Sequence, residues 1–506
     1  MGIASHITLA IFFGIVGLYV IRRLVRSKRN GLPLPPGPKG VFLLGNINDM
    51  PKSDVLEAFH WLKHKDLYGL ISSVTTMGQT IIIINDSELA TELLTNRAAI
   101  HSSRPRQVLA GEIVGWINST ALTPNNDKWR KLRKIISQVV SSNKSVTMFD
   151  KMQEVESAHF LLNLLDSPDN LFDHIRKEAG SVISRITYGY TPEAHDADPL
   201  VDLAGQAGHT LQEATVPGKW MVDILSFLRY FPDGFPGTSF KRPGSAMRDT
   251  LTQCVEQPYA WVKQQMREKR HKTSFLSQAI ESTVSSLQSF FLAMMLFPDV
   301  QEKAQEEIDR VIGGDRLPIT VDRHNLPYLW AAMKETHRWH PVGPMGIAHA
   351  SAAEDICNGY RIPKGSILLA NTWRFTHDPS VYPDPMTFRP ERFIETPTHK
   401  PEPDPRNLIF GYGRRVCPGR YVADNAVFIT IAQTLAVFNI SKPADETGKV
   451  IEPKLEFEPG TVSRPVPYKA QIKPRTEKYE ALIRKSEDIY PWEPSDAKEL
   501  GNVRWK

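Results

Sequence analysis

The chain has 506 residues, 41% of them hydrophobic and 23% charged, with a formal net charge of +5. This is the composition of an ordinary globular protein, and so small a charge on this length implies no nucleic-acid partner. Three cysteines, Cys254, Cys357 and Cys417, make no disulfide framework and fit a reducing compartment.

In chain order, Ile3 to Ile21 is apolar apart from Ser5, His6 and Thr8, and Arg22, Arg23, Arg26, Lys28 and Arg29 follow at once. That length suits a membrane-spanning helix, and the charge on its C-terminal flank favours keeping that side cytoplasmic. No charge precedes the run and no small-residue cleavage site follows it, so an uncleaved anchor is expected over residues 1–21 rather than a signal peptide. Residues 22–40 read as a basic stretch followed by a stiff hinge, Gly31-Leu-Pro-Leu-Pro-Pro-Gly-Pro-Lys-Gly40.

From Leu70 to Asn85 the pattern is that of strands, with the β-branched run Thr80-Ile-Ile-Ile-Ile84 bounded by Gly78 and Asn85. Helices follow at Ser87 to Asn96 and Asp127 to Val140. The second carries Lys128, Arg130, Lys131, Arg133 and Lys134. Trp129 and Arg133 stand four apart and share a helix face. Residues 150 to 270 are mostly helical with proline and glycine breaks. Phe275 to Phe297 is a helical run ended by Pro298, and Asp299 to Val311 an amphipathic one. In Met333 to Trp339, Glu335 and Arg338 meet at i, i+3. Gly359 to Gly365 reads as a turn between short strands, with Ile367-Leu-Leu-Ala370 after it. Beyond Lys473 the chain is polar, and residues 476–506 are expected to be a loosely held tail.

The stretch that carries chemistry is Phe410-Gly-Tyr-Gly-Arg-Arg-Val-Cys-Pro-Gly419. A thiolate is a soft ligand able to hold a haem iron and favour O–O cleavage. Gly413 and Gly419 permit close backbone approach, Pro418 stiffens the turn, Phe410 offers a ring face, and Arg415 is a candidate partner for a propionate. The apolar run from Ala423 to Phe438 reads as a buried helix leaving the loop.

Phe-x-x-Gly-x-Arg-x-Cys-x-Gly resembles the haem-binding signature of cytochrome P450. Glu335-Thr-His-Arg338 and Pro390-Glu-Arg-Phe393 resemble that family's Glu-x-x-Arg pair and its downstream arginine, here Arg392. The resemblance runs from the anchor to about residue 475. It is nearest to the fungal secondary-metabolism type similar to O-methylsterigmatocystin oxidoreductase, through segments such as Val114-Gly-Trp116, Glu213-Ala-Thr-Val-Pro-Gly218 and Asn371-Thr-Trp373. It implies a mainly α fold with a small β-region and a haem-thiolate catalytic domain over residues 41–475. It also implies haem b ligated by Cys417, and propionate contacts from Trp129, Arg133, His349 and Arg415. The implied substrate is a lipophilic secondary-metabolite intermediate or xenobiotic, oxidised with O2 and with electrons from NADPH-cytochrome P450 reductase. The body would face the cytoplasm on the endoplasmic reticulum membrane. The basic helix 127–140 would dock the reductase, and the 102–116 loop would form part of a substrate roof.

One segment departs from the family. Relatives carry small residues, then an acid and a threonine, midway along a long central helix. Here the match is Gln278-Ala-Ile-Glu-Ser-Thr283, which makes Glu281, Ser282 and Thr283 the candidates for proton delivery. Gln278 and Ile280 replace small residues. Residues 275 to 297 span only about 34 Å as helix, and the charged stretch Lys263 to Lys272 does not continue as a buried helix. A piece of helix length is expected to be missing there. This leaves a competing reading, a haem-binding protein without monooxygenase activity.

Overall fold

The computed structural model describes residues 31–505, apart from Leu43, Ser53, Asp54, Pro217 and residues 271–279. The expected anchor at 1–21, the basic stretch and Gln278 lie outside the described residues. Among the described residues no single helix is long and apolar enough to cross a membrane.

Among the described residues, eight strands build three small sheets. Strands β1 (Ile71–Thr76) and β2 (Gln79–Ile84) form a hairpin. It turns on Met77 and Gly78, both with positive φ (48° and 87°), as a tight two-residue hairpin turn requires. β3 (His349–Ala350), β4 (Asp355–Cys357), β5 (Tyr360–Ile362) and β6 (Ile367–Ala370) follow. β6 pairs parallel to β2 and antiparallel to β3, giving the order β1-β2-β6-β3 and setting His349 opposite Leu368. β4 pairs with β5. β7 (Phe438–Ser441) pairs with β8 (Gln471–Pro474). The proline-rich segment 31–40 is not a free hinge. Ser73 N donates to Pro36 O (2.8 Å) and Arg361 N to Pro33 O (2.8 Å), so it lies along β1.

The body is helical: α1 (Asp127–Val140), α2 (Asp150–Asp166), α3 (Leu171–Tyr188), α4 (Pro199–Ala214), α5 (Lys241–Arg267), α6 (Ile280–Leu296), α7 (Pro298–Val311), α8 (Pro327–Trp339), α9 (Arg406–Ile409), α10 (Arg420–Val437), α11 (Glu477–Ile489) and α12 (Ala497–Gly501). Asn126 caps α1 through Trp129 N (2.9 Å). Pro298 and Pro327 occupy first helical positions. The Glu307 carboxylate on α7 accepts Tyr328 N and Leu329 N (3.0 and 2.9 Å), so one helix caps the next. α10 is buried nearly all round and α6 is buried from Val284 to Met295. Both therefore sit inside the main core with α2, α7 and α8.

Glu335 on α8 takes both ends of the Arg338 guanidinium (2.7 and 2.8 Å) and Arg392 Nε (3.3 Å), with all three side chains fully buried. Arg338 also donates to Thr376 O (3.0 Å) and Arg392 to Asp384 O (2.7 Å). The segment before the cysteine loop is thereby tied to α8.

The expectation of a loose C-terminal tail is corrected. Ile483 on α11 is fully buried in the main core, the Trp492 ring stacks on His159 at 3.7 Å, and Leu500 packs with Tyr190 and Trp261. The charge content of this segment conceals an amphipathic helix whose apolar face is narrow. Ile483→Ala is expected to cost about 2–5 kcal/mol in denaturant unfolding. A tail held loosely would give a change within about 0.5 kcal/mol.

Candidate active site: the cysteine loop and a cluster of arginines

The cysteine loop joins α9 to α10. Cys417 N donates to Phe410 O (2.7 Å) and Arg415 N to Tyr412 O (2.9 Å), which closes the turn. Gly413 has φ +49°, and a Cβ there would stand 2.5 Å from Leu94 O. Glycine is needed at 413 because the loop lies against the backbone at 94–95. Gly419 differs, because a Cβ there would meet no protein atom within 4 Å. Phe410 is half-buried, 6.0 Å from the His337 ring.

Cys417 is half-buried and makes no disulfide. Burial pushes its thiol up, against the Gly419 amide and the Arg133 and Arg420 guanidinium groups, which favour the thiolate. Asp424 adds to the rise.

Arg415 spends three donors on main-chain oxygens, of Ser102 (2.7 Å), Thr120 (3.2 Å) and Thr123 (2.8 Å), and lies 4.1 Å over the Trp129 ring. Trp129 Nε1 also donates to Thr120 O (3.2 Å), and Arg133 lies 5.9 Å from the same ring. Sequence reasoning passed over Arg104. It donates to Ala121 O (2.8 Å), Ile347 O (2.7 Å) and Ala348 O (2.8 Å). Nothing local marks Arg104 within Ser102-Ser-Arg-Pro-Arg106. Only the return of β3 places it beside His349.

Burial brings Arg104 down to about 9, with Arg415 adding to it. Burial and then Arg133 bring Arg415 down to about 10. His349, whose Nδ1 lies 2.8 Å from His101 O, falls to about 3 through burial and then Arg104. Carbonyl oxygens solvate these cations without neutralising them. Among the described residues, none of Arg104, Arg133 and Arg415 has a carboxylate at ion-pair distance. A buried cationic group without a counter-charge is costly, so the cluster suits a ligand bearing carboxylates.

The proton-delivery candidates sit at the start of α6. Glu281 and Ser282 fall in its first turn, Ser282 is exposed and Thr283 buried. The next hydroxyls serve the fold. Ser285 donates to Ser463 O (2.6 Å), and Ser289 Oγ lies 2.8 Å from His340 Nδ1. A separate apolar cluster, from Val108–Val114, Trp116, α4, α5 and Val222 to Phe240, takes in part of the expected roof segment 102–116, and none of its buried residues comes from α6.

Residues 35–472 match the family model of cytochrome P450. The chain belongs to the cytochrome P450 family. It is 42% identical to the cytochrome P450 monooxygenase claR of Ampulloclitocybe clavipes, over 96% of this chain and 94% of that one. It is 40% identical to the monooxygenase ppsD of Aspergillus oryzae, over 97% and 98%. It is 37% identical to O-methylsterigmatocystin oxidoreductase of Aspergillus flavus, over 96% of each. The chain is accordingly an oxidoreductase of the cytochrome P450 monooxygenase kind with a helix-rich fold, and the family implies a haem held by a cysteine thiolate. The arginine cluster without carboxylates and the open space before Gly419 fit such a group. The alignment with claR runs over 511 positions yet takes in only 96% of this 506-residue chain, so that relative has residues with no counterpart here.

His349 is held neutral at about 3 against an ordinary value of 6.5, so between these values the native state binds fewer protons than the unfolded one. Stability is complete above about pH 6.5 and is lost as pH falls toward about 3, by up to about 1.4 kcal/mol per pH unit for one site. His349→Gln is expected to flatten the fall in thermal midpoint between pH 7.5 and 5.

Proposed function

We propose that Cys417 would hold a haem iron as its thiolate and that the chain inserts one oxygen atom of O2 into a lipophilic small molecule, a secondary-metabolite intermediate or xenobiotic. The observation that carries this is Cys417 beside Arg133 and in one loop with Arg415, which Arg104 joins, three arginines with no carboxylate at ion-pair distance among the described residues. Bound there, the haem supplies reductive activation of dioxygen. Arg133 and the Gly419 amide favour the thiolate form of Cys417. Trp129, Arg133, His349 and Arg415, joined by Arg104, hold the propionates. Phe410 and Gly413 shape the loop against the macrocycle. Glu281, Ser282 and Thr283 relay protons at the start of α6. The apolar roof excludes water and selects apolar substrates, in keeping with a relative named an O-methylsterigmatocystin oxidoreductase.

Electrons come from NADPH through a reductase that docks on α1, whose Lys128, Arg130, Lys131 and Lys134 are exposed. Residues 1–21 anchor the chain in the endoplasmic reticulum membrane, with the body toward the cytoplasm. The exposed Met221, Ile224, Phe227 and Tyr230 offer a second apolar contact to that membrane.

A second reading, haem bound without productive oxygen insertion, is favoured by one observation. α5 ends at Arg267 and α6 is described from Ile280, with only residues 271–279 beyond Arg270. Among the described residues, α6 gives no buried side chain to the roof cluster.

Carbon monoxide difference spectra of the dithionite-reduced, full-length chain test the first reading. The red-shifted Soret band of a thiolate-ligated haem is expected, and Cys417→Ser should abolish it. A band of the histidine type in the parent chain would overturn it. Given the thiolate band, product formed with a reductase supports monooxygenation, whereas NADPH consumption without product supports the second reading. Reversing two charges of the basic face, with Lys131→Glu and Lys134→Glu together, should slow reductase association by about tenfold at low ionic strength and much less at high salt.

A further inference from the structure

The two ends of the cysteine loop are tied by more than the turn itself. Arg406 opens α9, just before Phe410. Its Nη1 donates to Asp424 Oδ2 (3.2 Å), a residue of α10 seven positions beyond Cys417. Its Nε and Nη2 grip Asp404 (3.0 and 2.6 Å), and its guanidinium lies 4.5 Å over the Trp330 ring of α8. Arg406 therefore clamps the entry of the loop, its exit and the supporting helix at one point.

Asp424 is an unusual member of this clamp. It is 7% exposed, and its Oδ1 has no hydrogen-bond partner. Buried carboxylate oxygens are seldom left so. The nearby Arg323 reaches Asn425 Oδ1 (2.5 Å) instead and lies over Trp330 and Phe428 at 4.9 and 4.8 Å. The charged groups that face Asp424 are Arg406, Arg323, Asp404 and Cys417 itself. Burial raises the carboxyl to about 6, which leaves it ionised at neutral pH. The fold thus keeps a half-satisfied negative charge close enough to act on the cysteine.

We infer that Asp424 is a positioning residue for Cys417, which holds the loop through Arg406 and whose charge lowers the reduction potential of the iron bound there. The inference rests on Cys417 being the haem ligand. A fixed negative charge beside the metal favours the oxidised state, and its removal favours the reduced one. A charge lost at a separation of roughly 10 Å in an effective dielectric of about 20 changes the reduced-to-oxidised ratio by about tenfold.

The test uses the full-length haem protein and two readouts, the carbon monoxide difference spectrum and a dye-coupled redox titration. Asp424→Asn is expected to keep the thiolate-type band and to raise the reduced fraction at a fixed dye potential by up to about tenfold. Asp424→Glu, which keeps the charge, is expected to return it toward the parent value. An intact band with an unchanged potential in Asp424→Asn would overturn the inference. So would an equal rise in Asp424→Glu. If Asp424→Asn forms no haem protein, Asp424→Glu decides alone: a parent-like potential supports the role, and a raised one sinks it. Loss of haem protein in both variants would reduce Asp424 to structural support and overturn it too. A parent chain without the thiolate band would remove the ligation of Cys417 and this role with it.

Discussion

Two guanidinium groups share one buried carboxylate at the centre of this fold. Glu335 holds Arg338 from its own helix and Arg392 from a loop more than fifty residues downstream, and all three are closed to solvent. Their remaining donors reach carbonyl oxygens of the irregular chain between β6 and the cysteine loop. That stretch has little regular structure to brace it, so the polar knot takes the place of a packed element. Such a knot adds little net stability compared with apolar packing, but it tolerates only one arrangement of its members, because a buried charge left alone costs several kcal/mol. The position of α9, and through it of the cysteine, follows from that arrangement.

The site obeys a different rule. Arg104, Arg133 and Arg415 come from three separate stretches, and Arg104 and Arg415 are held by main-chain oxygens rather than acids. Carbonyl dipoles fix a guanidinium in place and leave its charge available. Near Glu335 the two guanidinium groups have carboxylates at ion-pair distance, Glu335 for both and Glu402 for Arg392, and near Cys417 the arginines have none among the described residues. The same residue type thus serves architecture in one place and ligand recognition in the other, and the presence or absence of a carboxylate separates the two. The neutral His349 fits this pattern, since burial and then the neighbouring Arg104 both disfavour a further cation there.

The expected roof segment and the main core pack in separate clusters. The roof cluster draws on the Val108–Val114 segment, α4 and α5, while α6 gives its apolar side chains to the main core. The C-terminal segment reaches α5, with Glu499 holding Gln265 (2.7 Å) and Arg270 (2.9 Å) at its end.

Much of this was legible in the residues themselves. Hydrophobic periodicity and caps located α1, α7, α8 and α10, because these depend on neighbours three or four positions away. Gly78 and the β-branched run marked strand structure there for the same reason, and pairing of β1 with β2 made it a hairpin. The spacing around Cys417 identified the family, since close backbone approach and ligand placement there need particular residues at particular steps. Other features depended on the folded chain. Arg104 has no local signature, and its role as a cation beside His349 exists only once β3 lies against β6. The C-terminal helix was concealed by its charges, because one buried isoleucine and a stacked tryptophan carry too little periodic signal. The pairing of Arg406 with Asp424 spans the cysteine loop and is invisible until the loop closes. The sequence by itself determined the elements and the chemistry of the ligand loop, which short-range sterics and hydrogen bonding dictate. The tertiary structure alone decided which charges stay uncompensated, because that balance depends on groups brought together from distant parts of the chain.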